Sequence, residues 1–170
     1  LYSFMIRLRL PGGFMTPQQY VGLHHIADEH STGVIKITTR QTIQLHGILK
    51  SHVKPTIKAF NTIHLDSISA CGDVDRNVTC NAHPKQPPVH EEVFSYAAKL
   101  SEMALPKTKA YYEVWLDEKP LLEKKDEVDP LYQDGYLPRK FKIAIAIPPD
   151  NDCDVLANDR GLIAIIENDK

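Results

Sequence analysis

Phe4-Met5-Ile6-Arg7-Leu8-Arg9-Leu10-Pro11-Gly12-Gly13 opens on a period of two and closes on a turn. The alternation puts Phe4, Ile6, Leu8 and Leu10 on one face of a strand and Arg7 and Arg9 on the other. Pro11-Gly12-Gly13 ends the strand. Thr16-Pro17-Gln18-Gln19 then predicts a helix start, with Thr16 as N-cap, Pro17 in the first helical position and Gln19 closing a capping box. Tyr20, Leu23, Ala27 and His30 share a face of this helix, and Gly33 stops it. Residues 34–38 and 42–46 read as two strands around a turn near Arg40. Val53, Ile57, Phe60 and His64 fall on one face of a second helix, with Pro55 in its first turn. A short strand at 67–70 completes β-α-β-β-α-β, the order of the ferredoxin-like split βαβ unit.

The rest of the chain is less regular. Residues 71–88 are rich in Gly, Asp, Asn and Pro and predict a long loop. Val89, Val93, Tyr96, Leu100 and Met103 make a helix stripe that ends before Pro106. Residues 111–116 read as a strand, 118–134 as a charged surface excursion, and 140–147 and 161–166 as two further strands. The expected fold class is α+β. A ferredoxin-like unit spans residues 1–70, and residues 71–170 form the first part of a mixed α/β domain.

Composition narrows the function. The chain has 170 residues, 42% hydrophobic and 25% charged, enough to bury a core. Its net charge of −2 and pI near 6.5 give no global basic field of the kind nucleic-acid binders carry. The three cysteines, Cys71, Cys80 and Cys153, are odd in number and suit a reducing, cytoplasmic setting better than a disulfide scaffold. No apolar run reaches the ~18 residues of a membrane span. The chain starts at Leu1, directly in a strand pattern, and is expected to be a piece of a longer protein.

One charge pattern recurs. Arg7 and Arg9 share a strand face, as do Lys140 and Lys142, and Lys36 and Thr38. Gln44 and His46 share another. Each set stands opposite an apolar face. Arg40 in the turn and Arg76 in the following loop extend the same surface. A half-exposed antiparallel sheet often carries such residues on its solvated side. Here, however, the acids that outnumber the bases in the whole chain are missing from these faces, and that segregation points to a polyanionic ligand. Arginine forks grip carboxylates and small oxyanions at two points.

The same segments carry a resemblance. Arg7-Leu8-Arg9-Leu10-Pro11-Gly12-Gly13, Thr39-Arg40-Gln41-Thr42-Ile43-Gln44-Leu45-His46-Gly47, Asp75-Arg76-Asn77-Val78 and Leu137-Pro138-Arg139-Lys140-Phe141-Lys142 follow one another as in the sirohaem- and [4Fe–4S]-dependent sulfite and nitrite reductases. Leu105 to Tyr111 and Ala157-Asn158-Asp159 match as connecting segments. The chain resembles the N-terminal half of that family's haem subunit, most closely the NADPH-dependent assimilatory type. The resemblance implies that Arg7, Arg76, Lys140 and Lys142 surround the substrate oxyanion. It implies that Arg9, Lys36, Arg40, His46 and Asn77 contact sirohaem or its surroundings. The activity it implies is the six-electron reduction of sulfite to sulfide. Lys142, where nitrite enzymes tend to carry asparagine, favours sulfite over the alternative substrate nitrite. The implied partners are the C-terminal half of the same chain and a flavoprotein reductase subunit.

Departures from the family pattern accompany it. The cluster's cysteine ligands come as C-x5-C and C-x3-C pairs, which Cys71, Cys80 and Cys153 do not form, so they are expected in the C-terminal half. The 170 residues alone are therefore expected not to turn over substrate. Lys36 stands where arginine is usual, and Asp75 where asparagine is frequent. Cys71, Cys80, His83 and His90 have no zinc-site spacing. Asp150, Asp152 and Asp154 begin like a calcium loop, but Val155 replaces the required glycine. An RNA-recognition module needs aromatics on its open sheet face, and these strands offer none. A non-catalytic tetrapyrrole- or anion-binding module is the remaining alternative. Exposed apolar surface predicts self-association of the isolated piece.

Overall fold

The computed structural model describes residues 2–85, 87–107, 115–116, 119–120, 129–133 and 135–167. Its first sheet contains β1 (Ser3–Arg7), β2 (Ile35–Ile37) and β3 (Ile43–Leu49) in the order β1-β3-β2, antiparallel throughout. Helices α1 (Pro17–His30) and α2 (Val53–Thr62) pack on it. The capping box at Thr16 forms as expected: the Gln19 backbone N–H donates to Thr16 Oγ1, and the Thr16 N–H donates to Gln19 Oε1 at 2.9 Å. The core joins Ile6, Leu8 and Leu10 to Leu23, Ile26 and Ala27 of α1, Ile43, Leu45 and Ile48 of β3, and Phe60 of α2.

Three details differ from the expectation. Phe4 is 47% exposed, because the β1–β3 register shifts between Phe4 and Met5 and turns it out of the core. The buried face of α2 carries Thr56 and Phe60, while Ile57 is exposed and His64 lies beyond the helix at φ +57°. No strand forms at 67–70. Asp66 makes a single antiparallel bridge to Arg9 beyond the end of β1. That bridge stands where the fourth strand of a ferredoxin-like sheet would lie, on the side of β1 away from β3.

The second sheet is parallel, with β4 (Thr79–Cys80), β7 (Ile143–Ala146) and β8 (Arg160–Ile163) in the order β4-β7-β8. β7 is buried on both faces, as a central parallel strand must be. Ile143, Ile145 and Ile147 meet Val93 and Ala97 of α3 (Pro87–Met103), and Ala144 and Ala146 meet Val155. Of the expected α3 stripe, Val89, Val93 and Leu100 pack on this core together with Ala97, while Tyr96 and Met103 are exposed. The loop expected at 71–88 is exposed at 71–73 and 82–85 but buried in its middle, where it contributes β4. Val74, Asp75, Asn77, Val78 and Cys80 are buried, and Asp75 bridges Phe141 in parallel. Asp129 and Tyr132, expected on a surface excursion, are buried too. Of the strand expected at 111–116, the described residues contain only β5 (Trp115–Leu116), paired with β6 (Lys119–Pro120).

The two sheets are joined at Asn77. Its side-chain Oδ1 accepts from the Leu10 N–H at 2.8 Å, and its Nδ2 donates to the carbonyls of Leu10 at 2.7 Å and Arg40 at 2.9 Å. Arg40 returns the contact, donating to the carbonyls of Asn77 and Ile143. Replacing Asn77 by alanine leaves the buried Leu10 backbone groups unpaired. In the full-length protein Asn77→Ala should cost about 2–4 kcal/mol in denaturant unfolding; a loss under about 1 kcal/mol would show that the sheets are held by something else.

Candidate functional site

The join between the sheets opens into a cavity of about 420 Å³. Each of its cations arrives by a different route. Arg7 ends β1 and lies opposite Gln44 of β3. With its amide oriented to satisfy both neighbours, Gln44 accepts from Arg7 Nε and Nη2 at 3.0 and 2.8 Å and donates to His46 Nε2 at 2.9 Å. Arg76 is carried in by the segment that runs beside residues 137–141. The Arg76 N–H donates to the Phe141 carbonyl at 2.8 Å, and the Phe141 N–H to that of Val74 at 3.0 Å. Phe141 turns into the second core, so its neighbours Lys140 and Lys142 face the cavity. Arg40 enters from the β2–β3 turn.

Arg7 and Arg76 converge on one atom. Arg7 Nη1 donates to the Ala70 carbonyl at 3.0 Å, and Arg76 Nη2 and Nε donate to the same oxygen at 2.7 and 3.1 Å. Burial, and then the charge of Arg7, draw the Arg76 guanidinium below its ordinary range. Burial draws Arg40 down as well, against the opposing pull of Asp75. Among the described residues no carboxylate forms an ion pair with Arg7, Arg40, Arg76, Lys140 or Lys142. Asp154 is the one carboxylate on the cavity wall among the described residues. A site with this charge is arranged to receive an anion.

The cavity therefore gathers Arg7, Arg40, Arg76, Asn77, Lys140 and Lys142 of the residues singled out in the sequence. Arg9, Lys36 and His46 do not line it. Arg9 turns away to Asp66, with Nη2 at 2.7 Å and Nε at 3.0 Å from its carboxylate, and to Glu102 of α3 at 3.4 Å. The alternation runs on past Arg7, with Leu8 and Leu10 buried, and Arg9 is drawn from the cavity by its ion pairs with Asp66 and Glu102. Lys36 is exposed on β2 opposite Gln44, one strand further out. Asn77 spends its amide on the backbone clamp. Thr38, Gln44 and Asn158 complete the wall. Asn158 Oδ1 accepts from Arg40 Nη1, and its position follows from the short helical turn Val155–Ala157, which the sequence did not announce.

The wall suits a ligand with several carboxylates or a small oxyanion: three guanidinium forks and two ammonium groups lack carboxylate partners among the described residues. The cysteines do not suit an iron–sulfur cluster. Cys71 is exposed, and Cys80 is buried with its thiol pushed up to about 11 by desolvation. Among the described residues no group of three or more His, Cys, Asp or Glu side chains could hold a metal ion.

Two family models match the chain. Residues 2–63 match the nitrite/sulfite reductase ferredoxin-like half domain, and residues 95–170 the nitrite and sulphite reductase 4Fe-4S domain. The chain belongs to the nitrite and sulfite reductase family. It is 67% identical over 168 residues to the sulfite reductase [NADPH] hemoprotein beta-component of Leptospira biflexa, and 54% identical over 170 residues to that of Lysinibacillus sphaericus. Both alignments take in 99% of this chain and 30% of the relative, so the chain spans about 30% of the length of these relatives. Two solved structures share the fold over 85% of the chain. Mycobacterium tuberculosis NirA does so with a TM-score of 0.54 at 23% identity over 22% of that chain. Dissimilatory sulfite reductase I does so at 0.55 and 11% identity over 28% of that chain. No helix among the described residues is long and apolar enough to cross a membrane.

Asp75 lies just behind the cations, 5% exposed. Burial raises its carboxyl from 3.8 to about 7, against the lowering effect of Arg40. A raised folded-state value contributes stability that is fully present below the unfolded value and is lost as pH rises through the folded one. The stability of the full-length protein should therefore fall between about pH 4 and about pH 7, and Asp75→Asn should flatten that fall. Thermal unfolding across this range checks it; parallel curves would mean that Asp75 titrates normally.

Proposed function

We propose that this chain forms the anion-binding wall of a sirohaem-dependent sulfite reductase, in which sulfite is reduced to sulfide. The observation that carries the reading is the convergence of Arg7 and Arg76 on the Ala70 carbonyl beside Lys140 and Lys142, in a cavity with almost no compensating acid. The NADPH-type naming of the relatives supports the choice of substrate and of electron source. In this reading the division near residue 70 separates a ferredoxin-like half-domain from the start of the sirohaem-binding domain. The cluster ligands belong to the remainder of the longer chain, and a flavoprotein component delivers electrons from NADPH. The free cysteines fit a reducing cytoplasm.

The reaction takes sulfur from +4 to −2, so six electrons enter and the three oxygens leave as water. Sirohaem and its cluster, when bound against these cations, would supply the redox chemistry that delivers those electrons. The work of the chain is electrostatic and acid–base. The Arg7 and Arg76 guanidiniums bind sulfite oxygens through planar forks and hold the dianion against its tendency to stay hydrated. Lys140 Nζ and Lys142 Nζ donate hydrogen bonds to the oxygens as negative charge grows on them, and pass protons to each departing oxygen. Arg40 keeps its guanidinium on the backbone of both sheets, so its charge adds to the field while its hydrogen bonds fix the geometry.

Lys140→Ala and Lys142→Ala in the full-length enzyme should each lower sulfite turnover by roughly 10²- to 10³-fold, as loss of one oxyanion donor does. Turnover measured with reduced methyl viologen bypasses the flavoprotein and isolates the site. Unchanged turnover in both variants would sink the assignment.

A further inference from the structure

Asp75 is the residue in this neighbourhood that the proposed reaction does not use, and its surroundings are unusual. It is buried, and its Oδ1 has no hydrogen-bond partner among the described residues. Its backbone is fixed on both sides. The Asp75 N–H donates to Tyr132 Oη at 3.0 Å, and Tyr132 Oη donates to the Ala104 carbonyl at 2.7 Å. The parallel bridge to Phe141 sets Asp75 beside the segment bearing Lys140 and Lys142. The next residue in the chain, Arg76, lines the cavity. The groups that face the carboxyl are Arg40 from the β2–β3 turn and Tyr132 from residues 129–133, with the Asp129 carboxylate behind the tyrosine.

Asp129 provides an internal contrast. It too is buried, and burial alone would raise it. The backbone N–H groups of Tyr132, Lys107 and Leu131 donate to it and hold it below the ordinary carboxylate range. Among the described residues no such donor reaches Asp75 Oδ1. A carboxylate buried without donors is unfavourable by several kcal/mol, and the inexpensive remedy is to keep its proton. Two carboxyls of one buried cluster are thus pushed to opposite protonation states by their hydrogen bonds.

The consequence falls on the cavity. We propose that Asp75 is a positioning residue that sets the charge of the anion site: as a neutral acid it leaves the positive field of Arg40 to the bound anion, and as a carboxylate it competes with the anion for that field. This rests on the reading of the cavity as an anion site. The neutral form also matches an asparagine in shape, so the cavity wall is the same in either case. Ionisation releases the proton to solvent and places one negative charge beside Arg40. At an effective dielectric constant near 20, a unit charge within roughly 10 Å of the anion changes its affinity on the order of tenfold. The sign is fixed: anion binding is tight below the Asp75 transition and weakens as pH rises through it.

The experiment measures sulfate affinity by titration calorimetry on the full-length protein and on Asp75→Asn, at a series of pH values on either side of about 7. Sulfate keeps its own charge across that range, as sulfite does not. The expected result is an affinity that drops roughly tenfold for the wild type as pH rises, beyond any drop shared with the variant. Infrared difference spectra of the wild type should show a protonated carboxyl band that disappears over the same pH range and is missing from Asp75→Asn. Parallel affinity profiles, or no such band in the wild type, would overturn the role of Asp75 while leaving the anion site in place. No sulfate binding to either protein at any pH would overturn the anion site itself, and this inference with it.

Discussion

The side-chain amide of Asn77 is the contact on which the cavity depends. It substitutes for a missing strand pair, giving the Leu10 backbone both a donor and an acceptor just where β1 leaves its sheet. A third hydrogen bond reaches the turn that carries Arg40. Together with the Gly12 N–H bond to the Val78 carbonyl and the Gln41–Cys80 pair, the amide links an antiparallel sheet with its own core to a parallel sheet with its own core. Without such a junction the cations would sit on two separate surfaces. Asparagine suits the position because one short side chain holds an acceptor and two donors in a plane.

The junction also has to hold like charges together. Arg7 and Arg76 share one carbonyl oxygen, and Arg40 is partly desolvated against backbone. This arrangement opposes folding when the cavity holds no anion. The contrast with Arg9 is instructive. Arg9 lies two residues from Arg7 and is neutralised by Asp66 and Glu102, so it joins the elements of the fold rather than serving a ligand. The chain places acids beside the cation that binds structure and withholds them from most of those that face the cavity. Local rules of stability are broken where a site needs charge, and the surrounding frame compensates.

Much of the first sheet was legible because its signals are local. The Thr16 capping box and the period of two in Ile6, Leu8 and Leu10 each depend on a few neighbouring residues, and both appear as read. Segments whose burial comes from distant partners were misread. Residues 74–80 look like a loop by composition, yet Val74 is buried, and Val78 and Cys80 are enclosed by β7 and α3, elements far along the chain. Tyr96 and Met103 fit a 3.6-residue period, but α3 meets its sheet through Val89, Val93, Ala97 and Leu100. The cation cluster was visible as a pattern of faces and as family motifs. The departure of Arg9 from it was not, since that follows from the distant carboxylates of Asp66 and Glu102 that capture it. Asp75 appeared in the sequence only as an odd acid beside Arg76. Its meaning comes from burial and from the absence of a donor to its Oδ1 among the described residues.

The central claim is that Arg7, Arg76, Lys140 and Lys142 form one oxyanion site. The most direct measurement is a crystal structure of the full-length protein with sulfite bound. The account predicts sulfite oxygens within hydrogen-bond distance of both guanidiniums and at least one of the two ammonium groups, with the backbone clamp at Asn77 unchanged. Sulfite bound elsewhere, with these four side chains turned to solvent or paired with carboxylates from the rest of the chain, would contradict it.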